Sequence, residues 1–296
     1  MKPSVTGAIC LSLAASIWGS MYVVSKYVLD FVPPITLVCF RYMIAFAILY
    51  TLLKREQWKN KKHEKIQLKD WLLLGWIGFI GYFISIALQF MGTKWSDAHT
   101  GALITSATPA FMVLFAWIIL KEALTARKIL SLVLATIGVI FIVGYNPYLG
   151  TYFWGSIILV GAAITWALLS VYVKVASLRF STLVITTYAI GFAVIFTIPW
   201  MVWELKTHPL VLESSSVILG ILYLGIVATA GAFFLWNKGL ELMDASIGSL
   251  FFFFQPVVGA FLGWFVLHEE LNSNFFMGGF FILMGVLVVT IQPRRK

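Results

Sequence analysis

Trp18, Tyr22 and Lys26 follow one another at four-residue steps, and Trp166, Ser170 and Lys174 do the same further along the chain. On an α-helix such steps line one face, so each trio is a stripe that pairs an aromatic wall with a cation. The wall suits the apolar part of a small organic solute. The cation suits an anionic group on that solute or braces one end of a passage. The same stripes also read structurally, as tryptophans packed between helices and lysines whose stems reach along apolar surface to a polar boundary. A third stripe, Gly78, Tyr82, Ser85 and Gln89, joins small and polar residues at steps of four, three and four. Lipid contact would leave Gln89 poorly solvated, so this face turns to protein or to a wet cavity. Its counterpart is Gly225, Thr229, Ala232 and Trp236. Tyr82 and Thr229 either touch a solute or only each other.

Arg41 stands about two turns inside an apolar stretch, where a charge costs roughly 2.5 to 3.5 kcal/mol on insertion scales. A cation there is a functional candidate, or it snorkels outward and binds carbonyls of neighbouring helices. Pro109 and Pro256 interrupt two other apolar stretches. Each removes one backbone hydrogen bond and frees the carbonyl four residues earlier, at Thr105 or Phe252. Kinks are expected at both, with Thr105, Ser106, Thr108 and Gln255 serving as cavity groups, as partners of the freed carbonyls, or as both. Glu122 and Glu269 stand just ahead of Thr125 and Asn272, which look like helix N-caps, so the glutamates read as loop anchors. Gly259 and Gly263 form a GxxxG pattern that reads as close packing within one protomer.

These residues are carried by a chain that is 61% hydrophobic and only 11% charged, with a mean hydropathy of +0.95. That composition belongs to a polytopic membrane protein and not to a soluble domain. A span needs about 20 mostly apolar residues to cross about 30 Å of hydrocarbon. Ten such runs are found, near 5–25, 34–53, 70–91, 98–120, 127–144, 152–174, 182–203, 216–237, 245–267 and 275–292. Long, continuously apolar runs specify helices and not barrel strands. The net charge of +9 clusters in alternate loops. With the N terminus inside, the cytoplasmic face receives the run from Lys54 to Lys69, then Lys121, Arg127, Lys128, Lys174, Arg179, Lys238 and the tail from Arg294, leaving Lys26, Lys94 and Lys206 outside. The positive-inside rule therefore predicts both termini in the cytoplasm and excludes nucleic acid as the partner of this charge. Cys10 and Cys39 both fall in apolar runs, which gives a structural disulfide no support. Lys2 ahead of an apolar run has the look of a signal peptide, but the repeat described next assigns that segment to the fold.

The segment from Thr108, TPAFMVLFAWIILKEAL, is restated from Gln255 as QPVVGAFLGWFVLHEEL, with Pro109, Trp117, Leu120, Glu122 and Leu124 each matched 147 residues later. Gly78, Gly92, Asp97, Gly101 and Gly138 keep the same offset, and at 148 Gly7, Ala15, Trp18 and Lys26 fall on Gly155, Ala163, Trp166 and Lys174. Residues 1–148 and 149–296 are thus two copies of a five-helix unit. Five is odd, so the second copy crosses in the opposite sense, and an all-α fold of ten transmembrane helices in two inverted repeats is expected. Inverted repeats are a recurrent design of secondary transporters, with the solute held between the halves near the midplane.

The stretches AASIWGSMYVVSKYVL at 14–29 and CFRYMIAFAILY at 39–50, with the repeated segments ending LKEALT and LHEELN, resemble the EamA-type families of the drug/metabolite transporter superfamily. The resemblance spans essentially the whole chain. It implies a cell-membrane carrier of small molecules, often an exporter of amino acids or related metabolites. The residues assigned to solute contact are Trp18, Tyr22, Tyr82, Gln89, Trp166, Ser170, Thr229 and Gln255. Lys26, Arg41 and Lys174 supply charge or gating, and Pro109 and Pro256 the kinks. No cofactor or metal is expected, and the chain works in the bilayer as a monomer or homodimer. Every Asp, Glu and His falls at a span end or in a loop, so a facilitator or weakly proton-linked exporter is expected. The rival readings are a non-transporting scaffold or sensor and an integral-membrane enzyme. No cluster of nucleophile and base, or of metal ligands, supports the enzyme.

Overall fold

The computed structural model of the 296-residue chain describes residues 3–60, 66–105, 107–121, 123–143, 150–208, 210, 212, 214–242, 251–252, 254–268, 270–271 and 273–290. Among the described residues the chain is all-helical. The helices are α1 Pro3–Val28, α2 Pro34–Asn60, α3 Leu68–Trp95, α4 Ala98–Leu120, α5 Ala126–Val143, α6 Thr151–Ser177, α7 Thr182–Thr207, α8 Ser215–Leu242, α9 Phe254–Leu267 and α10 Ser273–Thr290. Seven of them, α1 to α4 and α6 to α8, are long and apolar enough to cross a membrane. The helix α9 is shorter, and the residues ahead of it from 243 to 250 lie outside the described set.

Apolar side chains all around make these segments helical in a medium without water, because a helix satisfies its own backbone. Polar residues then mark the ends. The Asp70 carboxylate accepts the Gln67 amide at 2.9 Å, and the Ser181 hydroxyl accepts that of Val184 at 3.4 Å. The start of α2 is capped from another helix: Glu204 of α7 accepts the amides of Ile35 and Thr36 at 3.2 and 2.7 Å and the Thr36 hydroxyl at 2.8 Å. A carboxylate there also complements the positive helix end. Lys121 and His268, which match at the repeat offset of 147, both take a left-handed backbone, with φ of 58° and 55°. A residue in that region stops a helix and turns the chain. Glu122, Glu269, Asn272 and Ser106 lie outside the described residues.

Packing repeats as well. The first copy's α1 lies on α8 and α9, and the second copy's α6 lies on α3 and α4. Gly92 on α3 faces Leu159 and Gly155 on α6, while Gly239 on α8 faces Leu11 and Gly7 on α1. Those two sets are the repeat counterparts of one another. The helix α2 packs on α7 and α5 on α10, with Phe141 and Phe281 stacked at 5.4 Å. Where the α3 and α6–α7 ends meet, Arg179 pairs with the buried Asp70 at 2.7 Å. Cys10 and Cys39 are free and buried, as expected of packing residues.

The third and eighth helices contain something that a 3.6-residue reading of the sequence does not predict. Ile77–Ser85 in α3 and Ile226–Gly231 in α8 are π-helical, and these stretches overlap at the repeat offset. A π turn widens the helix and carries its hydrogen bonds from i to i+5, which loosens carbonyls for other donors. Gly78 of the predicted stripe consequently meets Ala189 and Phe192 of α7, while Gly81 meets Leu169 of α6.

A close seam joins α1 to α9. A Cβ on Gly19 would sit 2.7 Å from the Gln255 carbonyl and 2.8 Å from the Val258 Cβ. Gly259 sits against Ala102 of α4 and the Gly19 backbone, so the GxxxG glycine packs inside the protomer. Gly19→Val is expected to cost about 1 to 3 kcal/mol through overpacking. It should lower the melting temperature in detergent, whereas Gly161→Ala, whose Cβ meets only Leu88 at 3.3 Å, should leave it nearly unchanged.

Candidate functional site

A cavity lies where the two copies meet. The first copy contributes Trp18, Met21, Ser85, Ile86, Gln89, Thr105 and Thr108, and the second contributes Ala162, Trp166, Phe233, Phe252 and Gln255. Its volume is only about 20 Å³, about enough for one water. The site is therefore narrow.

Trp18 is the hub of its aromatic side. Its ring lies 5.3 Å from Trp166, 5.2 Å from Trp236, 5.8 Å from Phe233 and 6.2 Å from Phe252. Most of these pairs are edge-on or tilted, which sets the positive ring edge against the negative face. The Trp18 indole N–H donates to the Ala228 carbonyl at 3.2 Å, inside the π stretch of α8. Its repeat counterpart, Trp166, has no partner for its N–H.

The polar side is centred on Tyr22. The Thr105 hydroxyl donates to the Gly101 carbonyl at 2.7 Å, so it accepts from the Tyr22 hydroxyl at 2.6 Å. Gln89 and Gln255 then donate their amide N–H groups to the Tyr22 oxygen, Gln255 at 3.2 Å. Both glutamine carbonyl oxygens are left buried and unpartnered. Two acceptors and the Trp166 donor, on residues that line one cavity, are groups that a solute could satisfy.

The proline at position 109 opens this polar side. The helix α4 breaks there into Ala98–Thr105 and Thr108–Leu120, with Pro109 in the first turn of the second piece. The Thr108 hydroxyl donates to the freed Thr105 carbonyl at 2.6 Å, and both threonines still face the cavity. Pro256 occupies the first turn of α9, directly after Gln255. Each proline therefore starts a helix at the cavity.

Arg41 is fully buried. Its Nε donates to the Thr229 hydroxyl at 2.6 Å, Nη2 to the Ala228 carbonyl at 3.3 Å and Nη1 to the Met21 sulfur at 3.4 Å. Its guanidinium carbon stands 4.9 Å from the Phe90 ring centre and 5.8 Å from that of Phe233, where the ring faces partly offset the missing hydration. The ion pairs among the described residues, Arg179 with Asp70 and Lys238 with Glu241, do not include it. The adjacent Tyr42 donates to the Tyr82 carbonyl in the π stretch of α3. Neighbouring residues of α2 thus reach the π stretches of both copies.

Of the predicted solute contacts, Trp18, Trp166, Gln89 and Gln255 line the cavity, and Tyr22 anchors the two glutamines from behind. Tyr82 stacks on Phe233 at 4.8 Å and accepts from Asn237 at 3.0 Å, outside the lining. Ser170 donates to the Trp166 carbonyl at 3.0 Å, within its own helix. Thr229 donates to the Leu224 carbonyl at 2.6 Å and accepts from Arg41. Met21, Phe233 and Phe252 were not singled out from the sequence, being apolar residues in apolar helices. Tyr42 and Asn237 carried a weak signal, polarity inside a span. Lys26 donates to the carbonyls of Thr93, Lys94 and Ser96 at 3.1, 3.0 and 2.5 Å, closing the end of α3. Lys174 donates to the Leu240 carbonyl at 3.1 Å near the end of α8, and Leu240 is the counterpart of Thr93 at the 147 offset.

Among the described residues the chain is all-helical, and residues from both of its halves line one small cavity, the form of a membrane carrier. The family model described as EamA-like transporter family matches residues 5–144 and again 153–291. The chain belongs to that family and is a multi-pass membrane protein. It is 26% identical to the uncharacterized transporter YetK of Bacillus subtilis over 100% of this chain and 90% of that one. It is 60% identical to YdzE of the same organism, named as permease-like, over 25% of this chain and 96% of YdzE. A solved protein structure at 19% identity shares the fold with a TM-score of 0.70, covering 98% of each chain.

The lysine geometry yields a direct test. Lys26→Met leaves three carbonyls without their charged donor and is expected to cost about 1.5 to 3 kcal/mol, with Lys174→Met costing less. Melting temperatures of the purified variants measure this. Unchanged stability in both would contradict a helix-closing role and return the lysines to solute or gate chemistry.

Proposed function

We propose that this chain is a secondary carrier that exports small metabolites, amino acids or related amphipathic solutes, from the cell. It works by alternating access between inverted five-helix repeats at 1–148 and 149–296, ten spans in all, with both termini cytoplasmic. The observation that carries this reading is a small cavity lined by residues with orphaned polar groups from both halves: Gln89 from the first, Gln255 and Trp166 from the second. Leaving a polar atom buried without a partner costs about 1 to 3 kcal/mol. A solute that donates to the glutamine oxygens and accepts from the indole removes that cost, so the occupied site is favoured over the empty one. The aromatic wall takes the solute's apolar part. Arg41, separated from the cavity by Met21 and Phe233, adds a positive field in a poorly screened setting that favours an anionic end.

Matched seams support the inverted-repeat mechanism. The contact of α3 with α6 and that of α8 with α1 use counterpart residues, so parting one seam while holding the other opens the cavity to one side, and the reverse opens it to the opposite side. The two π stretches lie where those helices must flex, and non-standard turns of this type are common at functional sites. Among the described residues no Asp, Glu or His lines the cavity, in keeping with a facilitator or weakly proton-linked exporter.

Reconstituted into proteoliposomes, the protein is expected to move members of a panel of amino acids, nucleosides and amphipathic cations without an imposed pH gradient. Gln89→Leu and Gln255→Leu should each raise KM about fivefold to tenfold while leaving kcat nearly unchanged, and each should lower stability by about 1 kcal/mol through the lost hydrogen bond to Tyr22. No flux for any solute, or flux that stops without a pH gradient, would contradict the corresponding part of the reading.

A further inference from the structure

The third helix has two working faces. Ser85 and Gln89 point into the cavity, and Phe83, Ile84, Ala87, Leu88 and Met91 line a separate groove of about 560 Å³ on the outside of the bundle. The opposite wall of that groove is Trp200 and Trp203 of α7, which are 54% and 62% exposed. One end is polar, with Lys94, Glu204 and His208.

We infer that this groove is a binding site for one phosphatidylethanolamine molecule, its acyl chain along α3 and its zwitterionic headgroup between Lys94 and Glu204. The dimensions fit one leaflet. From Phe83 to Lys94 is 11 residues, about 16 Å of helix, and half of a hydrocarbon core is about 15 Å. The apolar residues therefore run from the midplane to the headgroup level, where Trp95 and Trp203 stand as interfacial aromatics do.

The charges at the polar end have opposite signs, which selects the headgroup. Lys94 is an exposed cation suited to a phosphate. Glu204 already caps α2, but unequally. Its Oε2 accepts two hydrogen bonds, from the Thr36 amide and hydroxyl, while Oε1 accepts only one, from Ile35 at 3.2 Å. A carboxylate oxygen can take two, so Oε1 keeps a site for an ammonium N–H. Phosphatidylglycerol offers no ammonium, and the ammonium of phosphatidylcholine has no N–H to donate. Lipid seated here would contact the π-helical part of α3, since Phe83 and Ile84 lie in both the π stretch and the groove.

The test is native mass spectrometry of the full-length protein, delipidated and then titrated with palmitoyl-oleoyl phosphatidylethanolamine, phosphatidylglycerol or phosphatidylcholine. Phosphatidylethanolamine should be retained best, at about one copy per chain. Lys94→Ala should weaken its retention about fivefold, and Ala87→Phe should abolish it by filling the groove. Equal retention of the three lipids, or retention in Ala87→Phe equal to wild type, would overturn the assignment. A phosphatidylethanolamine with a photoactivatable group mid-chain keeps the proposal testable on the unaltered protein. Crosslinks should fall on residues 83–91, Trp200 and Trp203. Crosslinks elsewhere, or a dimer that disperses in Trp203→Ala and leaves no lipid bound, would also overturn it.

Discussion

No carbonyl or amide inside a bilayer can be left to water, and several departures of this fold from plain helix are answered by a named donor or acceptor. Pro109 breaks α4, and the Thr108 hydroxyl takes the freed Thr105 carbonyl. The π stretch of α8 loosens the Ala228 carbonyl, and Trp18 and Arg41 both donate to it. The π stretch of α3 receives Tyr42. The ends of α3 and α8 are closed by Lys26 and Lys174, reaching from α1 and α6. Satisfying the backbone is thus also what ties the first copy's helices to each other and to those of the second.

That constraint explains why the few unsatisfied groups matter. Beside unpartnered atoms elsewhere, such as the Trp236 N–H and the Thr187 hydroxyl, stand the buried oxygens of Gln89 and Gln255 and the Trp166 N–H. They converge on one small cavity, beside an aromatic cluster with Trp18 at its hub. Arg41 has the same economy on a larger scale. Its charge is spread over neutral acceptors and ring faces, an arrangement that tolerates a cation while leaving its field uncancelled behind Met21 and Phe233.

Much of this was legible in the sequence. The duplicated segments located both prolines and the matched lysines, and polar residues in apolar runs pointed to Gln89 and Gln255. Side-chain direction is the part that residue spacing does not carry. The stripe Gly78, Tyr82, Ser85, Gln89 assumes 100° per residue, and the π stretch of α3 changes that angle, so Tyr82 turns behind Phe233 while Ser85 and Gln89 stay in the cavity. Ser170 and Thr229 sit at cavity depth but spend their hydroxyls on carbonyls of their own helices, a choice that composition does not encode. Apolar lining such as Met21 and Phe252 is invisible to a search for chemistry in a chain that is 61% hydrophobic. The role of Glu204 depends on α7 meeting the start of α2, a contact between residues 168 positions apart.

The central claim is that one cavity opens in turn to each side of the membrane. It is tested most directly by Thr105→Cys in a chain whose Cys10 and Cys39 are replaced by serine, exposed to a membrane-impermeant thiol reagent from one side of sealed vesicles and then, separately, from the other. Labelling from both sides, each slowed when a transported solute occupies the cavity, is the predicted result. Labelling from one side only, however long the exposure, would contradict the account.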